Sequence, residues 1–236
     1  DELSFRKVLP YLTPDIILVT NLYRDSFSRN ANPDFIFNVM SHYVSPKTKL
    51  VLNADDLISC RLAPQDANRV YYSIGRLADD TAEPQGIVCD LTACPVCSGK
   101  LEYDYCHLRH LGHATCKSCG FTNPEPDYEL TALDREAHTF TVCERSREGV
   151  PTHTYRYGNY SITNLYNLFS TVVVARELGL SAEAIGASLE RGINVTALRY
   201  TEEEAGGKRL VAVASKGENS TATSVALDTI RKEPGS

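Results

Sequence analysis

With 236 residues, the chain is long enough to bury the core of one large or two small domains. Its 24 Lys and Arg against 30 Asp and Glu give a formal charge of −6, which weighs against non-specific binding to nucleic acid or an anionic membrane. No apolar run approaches the roughly 20 residues that span a bilayer, and no signal-peptide pattern follows Asp1. The chain opens without Met and closes on Pro-Gly-Ser just after an expected helix, so it is expected to be part of a longer protein.

Residues 15–20, Asp-Ile-Ile-Leu-Val-Thr, are a continuous apolar run bounded by Pro14 and Asn21, the pattern of a strand buried on both faces. Pro33 opens a segment with Phe35, Ile36, Val39 and Met40 at helical spacing, which predicts a helix. Residues 49–53 and 70–75 read as two further strands. Strand, helix, strand, short helix and strand predict an α/β fold with a mostly parallel sheet. In such sheets the ligand crevice lies at the carboxyl ends of the strands. That singles out residues 20–25, with Asn21 and Asp25, and the Asn-Ala-Asp-Asp of residues 53–56. The same side chains can act as turn and helix caps, and residue type leaves both readings open.

Cys94-Pro-Val-Cys97 and Cys116-Lys-Ser-Cys119, separated by eighteen residues, match the spacing of a four-cysteine zinc site. Four thiolates in a tetrahedron suit zinc and leave no open position, so Cys94, Cys97, Cys116 and Cys119 are expected to hold a structural ion. Two disulfides or a redox dithiol pair are the alternative. Gly99 and Gly120 follow the knuckles, where a tight turn often needs positive φ. His107, His110 and His113 lie between the knuckles as competing ligands, ranked below the cysteines. Residues 87–91, 101–103, 114–115 and 128–142 read as strands, making the ribbon a β insertion carried by the larger sheet. Cys60, Cys89, Cys106 and Cys143 lack metal spacing and read as small apolar residues or idle thiols. Cysteines used this way favour a reducing compartment, with the cytoplasm expected.

Residues 162–178 form an expected helix with Ile162, Leu165, Tyr166, Phe169, Val172 and Val173 as its apolar stripe and Gly179 as its C-cap. Asn164 and Asn167, near its start, are either caps or ligand contacts. Ser181 caps a shorter helix through Leu189. Residues 194–196 read as a linker, Glu202-Glu203-Glu204 as a solvated turn, residues 209–214 as a buried strand and 220–230 as a helix. This is how a second α/β domain would begin. Neither a Gly-x-x-x-x-Gly-Lys-Thr phosphate loop nor a Ser-His-Asp signature is present.

Three of these features together resemble the Mur ligase-like family in its MurT form, the subunit of lipid II isoglutaminyl synthase. They are the run from Asp15 through Thr-Asn-Leu-Tyr-Arg-Asp with the Asn-Ala-Asp-Asp at 53–56, the four-cysteine ribbon with Cys-Gly-Phe-Thr-Asn-Pro-Glu-Pro-Asp-Tyr at 119–128, and Asn-Leu-Tyr-Asn at 164–167. The resemblance implies residues 1–90 as the second half of a central domain, 91–128 as a zinc-ribbon insertion, 129–193 as the rest of that domain and 194–236 as the start of a C-terminal α/β domain. It implies an ATP- and Mg²⁺-dependent carbon–nitrogen ligase that activates the α-carboxylate of D-glutamate in lipid II as an acyl phosphate. Ammonia from a GatD-like glutamine amidotransferase partner would then give D-isoglutamine, a step of peptidoglycan biosynthesis at the inner face of the membrane.

By position, the resemblance places Asn164 and Asn167 at adenine and Asn21 and Asp25 at the shared crevice. Asp1-Glu2 looks like the end of an acidic strand motif. The phosphate loop and catalytic carboxylate would lie outside this chain, which is expected to be inactive alone. Ser26 stands where many Mur ligases have His, and Thr163 where an aromatic is usual. Two other readings stand beside this one. The first is a Mur ligase-like amide synthetase with a different acceptor. The second is a nucleic-acid or protein docking ribbon that uses Lys100, Tyr103, Tyr105, Arg109 and Lys117.

Overall fold

The computed structural model describes residues 2–24, 32–85, 89–157, 162–191 and 200–213, together with Thr223 and Leu227. In chain order, α1 (Phe5–Val8), β1 (Ile16–Val19), α2 (Pro33–Tyr43), β2 (Lys49–Asn53) and β3 (Arg69–Ile74) come first. The hairpin β4 (Leu101–Leu108) and β5 (Leu111–Cys116) follows, then β6 (Tyr128–Asp134), β7 (Thr139–Glu144) and β8 (Thr152–Arg156). Helices α3 (Ile162–Glu177) and α4 (Ala182–Glu190) precede a last hairpin, β9 (Tyr200–Ala205) and β10 (Lys208–Val213).

The main sheet has the order β1-β2-β3-β6-β7-β8. The first four strands run parallel, and β7 and β8 extend the sheet antiparallel. The fold is therefore α/β with a mostly parallel sheet, as its apolar runs predict. Leu50, Val51 and Leu52 of β2 are wholly buried. Leu50 and Leu52 pack with Ile36 and Met40 of α2, while Val51 joins Leu165, Phe169 and Val172 of α3 on the opposite face. Each such side chain contributes roughly 1.5–3 kcal/mol by leaving water, which is why β2 is apolar without alternation.

Helix α2 starts where Asn32 accepts from Asp34 N and Pro33 takes the first turn. Helix α3 ends at Gly179, whose φ of +90° and N–H to Arg176 O form the left-handed cap its sequence predicts. Lys49, the first residue of β2, pairs with Glu177, the last of α3, at 2.9 Å. Helix α3 thus runs against the strands, and its first turns lie at their carboxyl edge. Ser181 caps α4 by accepting from Ala184 N. A parallel β3-to-β6 step needs a long crossover, usually a helix. Here that crossover, residues 75–127, contains the cysteine ribbon instead.

Some expectations are corrected. Residues 128–142 are not one strand; they break at a turn after Asp134 into the antiparallel pair β6 and β7. Residues 89–91 are not in a strand, and 86–88 lie outside the described residues. The stretch expected to be a buried strand is β10, which pairs antiparallel with β9 and leaves Leu210 54% exposed. Glu202, Glu203 and Glu204 lie in β9, and the turn falls at Gly206-Gly207, both at positive φ. Glu2 opens a 3-10 turn, not the end of a strand. Of the expected helix over 220–230, Thr223 and Leu227 are helical and the rest lies outside the described residues. Among the described residues no helix is long and apolar enough to cross a membrane.

Candidate functional site

The two Cys-x-x-Cys turns are built alike. Cys94 O accepts from Ser98 N and Cys94 N donates to Gly99 O; in the second turn Cys116 O accepts from Gly120 N and Cys116 N donates to Phe121 O. The fifth residue of each turn is left-handed, Ser98 at φ +61° and Gly120 at φ +74°. Gly120 thus does what its position suggests, but the matching residue in the first knuckle is Ser98. Gly99 is needed for another reason. A Cβ there would come within 2.4 Å of Ser118 Oγ and 3.2 Å of Cys116 Sγ, so its absence lets the two knuckles close on each other.

That closure brings the sulfurs of Cys94, Cys97, Cys116 and Cys119 within 4.8 Å of one another. Cys94 Sγ to Cys119 Sγ is 3.8 Å and Cys97 Sγ to Cys116 Sγ is 3.5 Å. Sulfurs at the corners of a tetrahedron with metal–sulfur bonds of about 2.3 Å lie about 3.8 Å apart. Disulfide sulfurs lie at about 2.0 Å, and all eight cysteines are free thiols. Amides of Cys119 and then Ser118 hold the Cys116 thiol down, to about 6. At Cys97 the Gly99 amide lowers the pKa, but the Cys119 and Cys116 sulfurs outweigh it and carry it up to about 12. So close together, four thiols ionise fully only around a cation, and the donor set could hold a soft tetrahedral metal ion.

The three histidines between the knuckles are not at the sulfurs. His113 pairs with Asp104 at the surface. His107 contacts Asp80 and the Ile74 carbonyl, and His110 lies beside Asp56. Both of the latter sit at the carboxyl edge of the sheet, where a dense polar web surrounds residues 53–56. Asn53 donates to Thr20 O and accepts from Asp55 N. Asp56 accepts from Leu22 N at 2.7 Å and Ile58 N at 2.9 Å. Burial alone would raise the Asp56 pKa, but His110 and these two amides outweigh it and hold the carboxyl below its usual range. Asp55 differs: burial pushes it up to about 6, although His107, Ile74 N and the Tyr166 hydroxyl oppose the rise.

Asp56 therefore closes the turn that leads to the 3-10 segment at Ser59–Arg61, whose N-cap is Ile58 with no side-chain cap, whereas Asp55 ties β3 to α3. Asn21 is half-buried beside Leu22 on the loop after β1. Asp25 lies outside the described residues, as does the side chain of Asn164. Asn167 is on the exposed side of α3, one residue beyond Tyr166, whose hydroxyl reaches Asp55. The basic residues offered for nucleic acid do not share a free face. Arg109 is 2% exposed, and Lys117 pairs with Glu102 at 3.0 Å.

Sequence reading missed Asn123, which is fully used. It accepts from Ala114 N and donates to Gly112 O and to Ala54 O, joining the ribbon to the 53–56 loop. Its place just before Pro124 and Pro126 is the signal its sequence offers. The positions of His107 and His110 between the knuckles suggest zinc, and nothing in the local pattern sends them to the sheet.

No family model matches the chain. It is 31% identical over 191 residues to the lipid II isoglutaminyl synthase (glutamine-hydrolyzing) subunit MurT of Staphylococcus aureus (strain COL), covering 80% of this chain and 41% of that protein. It is 26% identical over 193 residues to the subunit of the same name from Streptococcus pneumoniae, with 81% and 42% covered. The chain thus spans about two fifths of the length of these relatives. A pseudomurein peptide ligase type C from Methanothermus fervidus superposes with a TM-score of 0.69 at 22% identity, over 95% of this chain and 42% of the other, a likeness of fold.

Proposed function

We propose that this chain, which is similar to MurT subunits and shares its fold with a peptide ligase, is a member of the Mur ligase-like family and part of an ATP-dependent carbon–nitrogen ligase of peptidoglycan synthesis. The full protein would amidate the α-carboxylate of D-glutamate in lipid II, using ammonia from a GatD-like glutaminase subunit. The similarity to MurT over four fifths of the chain carries this reading. The four-sulfur ribbon in the β3-to-β6 crossover adds to it. ATP with Mg²⁺ would supply the phosphoryl group that activates the carboxylate.

The chain's own residues would bind and orient. With the start of α3 at the carboxyl edge, Asn164 and Asn167, three residues apart on one helix face, would offer paired donors and acceptors to adenine. Asn21 and Asp25 would line the crevice shared by nucleotide and substrate. Zinc at Cys94, Cys97, Cys116 and Cys119 would be structural, since four thiolates fill its shell. Residues 1–90 and 129–193 would belong to one central domain interrupted by the ribbon at 91–128, and 194–236 would open the next domain.

The test is glutamine-dependent amidation of lipid II by the full-length protein with its partner. D-isoglutamine formation is expected, and Asn164→Ala with Asn167→Ala should raise KM for ATP. Amidation with unchanged KM in that double variant would remove the adenine assignment. Turnover of another carboxylate acceptor in place of lipid II would favour a different amide synthetase.

A further inference from the structure

The ribbon hairpin has two working ends. One carries the four sulfurs; the other, the β4–β5 turn, grips the carboxyl ends of β2 and β3. Four contacts make that grip. The His107 side chain is wholly buried, with Nε2 2.8 Å from Ile74 O and Nδ1 2.6 Å from Asp80 Oδ1. A carbonyl only accepts, so Nε2 carries a hydrogen and donates it. His110, also wholly buried, places Nε2 3.3 Å from Asp56 Oδ1 and its ring edge-on to Tyr23 at 5.1 Å. Gly112 N donates to Asp55 O at 3.0 Å, and Asn123 Nδ2 donates to Ala54 O at 2.6 Å.

These contacts fall on every residue from Ala54 to Asp56, and through Asp56 they extend to Leu22 N on the loop after β1. A histidine that only filled space here would be a poor choice. Burying an imidazole costs desolvation that a leucine of similar volume avoids, and neither Nδ1 nor Nε2 of His110 makes a hydrogen bond among the described residues. What the imidazole offers in return is the polar contact of Nε2, 3.3 Å from the buried carboxylate of Asp56.

The geometry points to His110, backed by His107, as a positioning residue through which the four-cysteine ribbon fixes residues 20–24 and 53–56, so that a metal at the cysteines governs the order of the carboxyl-edge crevice. This deepens the proposed function and rests on it for one point, that the crevice receives nucleotide and substrate. The coupling from ribbon to crevice stands on the contacts alone. No bond is made or broken; metal binding folds the knuckles, the knuckles hold β4 against β5, and the turn between them holds Asp56.

The test is hydrogen–deuterium exchange of the full-length protein, zinc-loaded and after chelation, without nucleotide or lipid. Stripping zinc should speed exchange about tenfold or more at the amides of Leu22 and Ile58, the loss expected when a hydrogen bond to a charged group goes. Val142 of β7 should stay protected. His110→Ala should reproduce this with zinc content unchanged, and His110→Gln, whose amide nitrogen can replace Nε2 at Asp56, should restore protection. Crevice amides that stay protected while Ala114 and Cys116 lose protection would overturn the proposal. So would an equal loss at Val142, or a His110→Gln variant no better than His110→Ala. If His110→Ala does not fold, the chelation and His110→Gln arms still decide. Failure of lipid II amidation with this coupling intact would count against the proposed function only.

Discussion

Tyr166 and Asp55, 111 residues apart in sequence, meet in a buried hydrogen bond of 2.9 Å from the Tyr166 hydroxyl to Asp55 Oδ2. The same oxygen accepts from Ile74 N at 2.7 Å, so one carboxylate joins α3 to the end of β3. Tyr166→Phe keeps the packing and deletes one donor to a charged, buried group. A loss of about 1.5–3 kcal/mol in urea unfolding is expected. Tyr155→Phe is the control: that hydroxyl is buried without a partner among the described residues, and its removal should be neutral or slightly stabilising.

Asp55 also sets a pH dependence. Its pKa, about 6 in the fold against 3.8 ordinarily, means that the folded state binds the proton more tightly than the unfolded chain. This group's contribution to stability is therefore fully present at low pH and is lost as pH rises between about 4 and 6. Asp56 and Glu177, both held below their usual ranges, work the other way, and their contribution is lost only at lower pH. Stability curves of the native protein and Asp55→Asn, measured from about pH 3.5 to 7, should differ in slope, with the fall between about pH 4 and 6 reduced in the variant. Parallel curves would show that Asp55 ionises as it would in water.

Glu144 is wholly buried, with Arg176 bidentate at 2.6 and 3.0 Å and Arg147 at 2.7 Å. The two arginines are unequal, since the Arg176 side chain is 14% exposed and that of Arg147 is 40% exposed. Arg176→Ala leaves a buried carboxylate short of its better partner and should cost about 3–5 kcal/mol. Arg147→Ala should cost about 1 kcal/mol or less, because water screens that pair. Denaturant midpoints of the two variants check the order.

Gly112 sits where a Cβ would come within 2.2 Å of Tyr105 O and 2.8 Å of Cys106 Cα. Both are backbone atoms of the paired strand and cannot step aside. Gly112→Ala should therefore disturb the β4–β5 register, lower the melting temperature and weaken metal retention against a chelator, although no ligand is touched. A variant with unchanged melting and metal retention would mean that the hairpin repacks at little cost.

Local chemistry made much of this legible. The apolar run of β2, Pro33 at the start of α2, Gly179 at the end of α3 and the Cys-x-x-Cys spacing each announce themselves within a few residues. The resemblance to Mur ligase-like proteins rested on such local strings. What stayed hidden depends on distance. Asp55 finds Ile74 and Tyr166, Asn123 finds Ala54, and His110 finds Asp56 only once the crossover has folded back on the sheet. The exposure of Leu210 in β10 is not legible either, because an apolar run such as Leu-Val-Ala-Val looks the same whether or not another layer covers it.

The most direct test of the account is the zinc content and thermal stability of protein purified without added metal. About one zinc per chain is expected from a site of four thiolates, with content falling in Cys97→Ser and Cys119→Ser and melting lowered by chelation. A metal-free protein that is fully folded, with a melting temperature indifferent to chelator and to those substitutions, would contradict it.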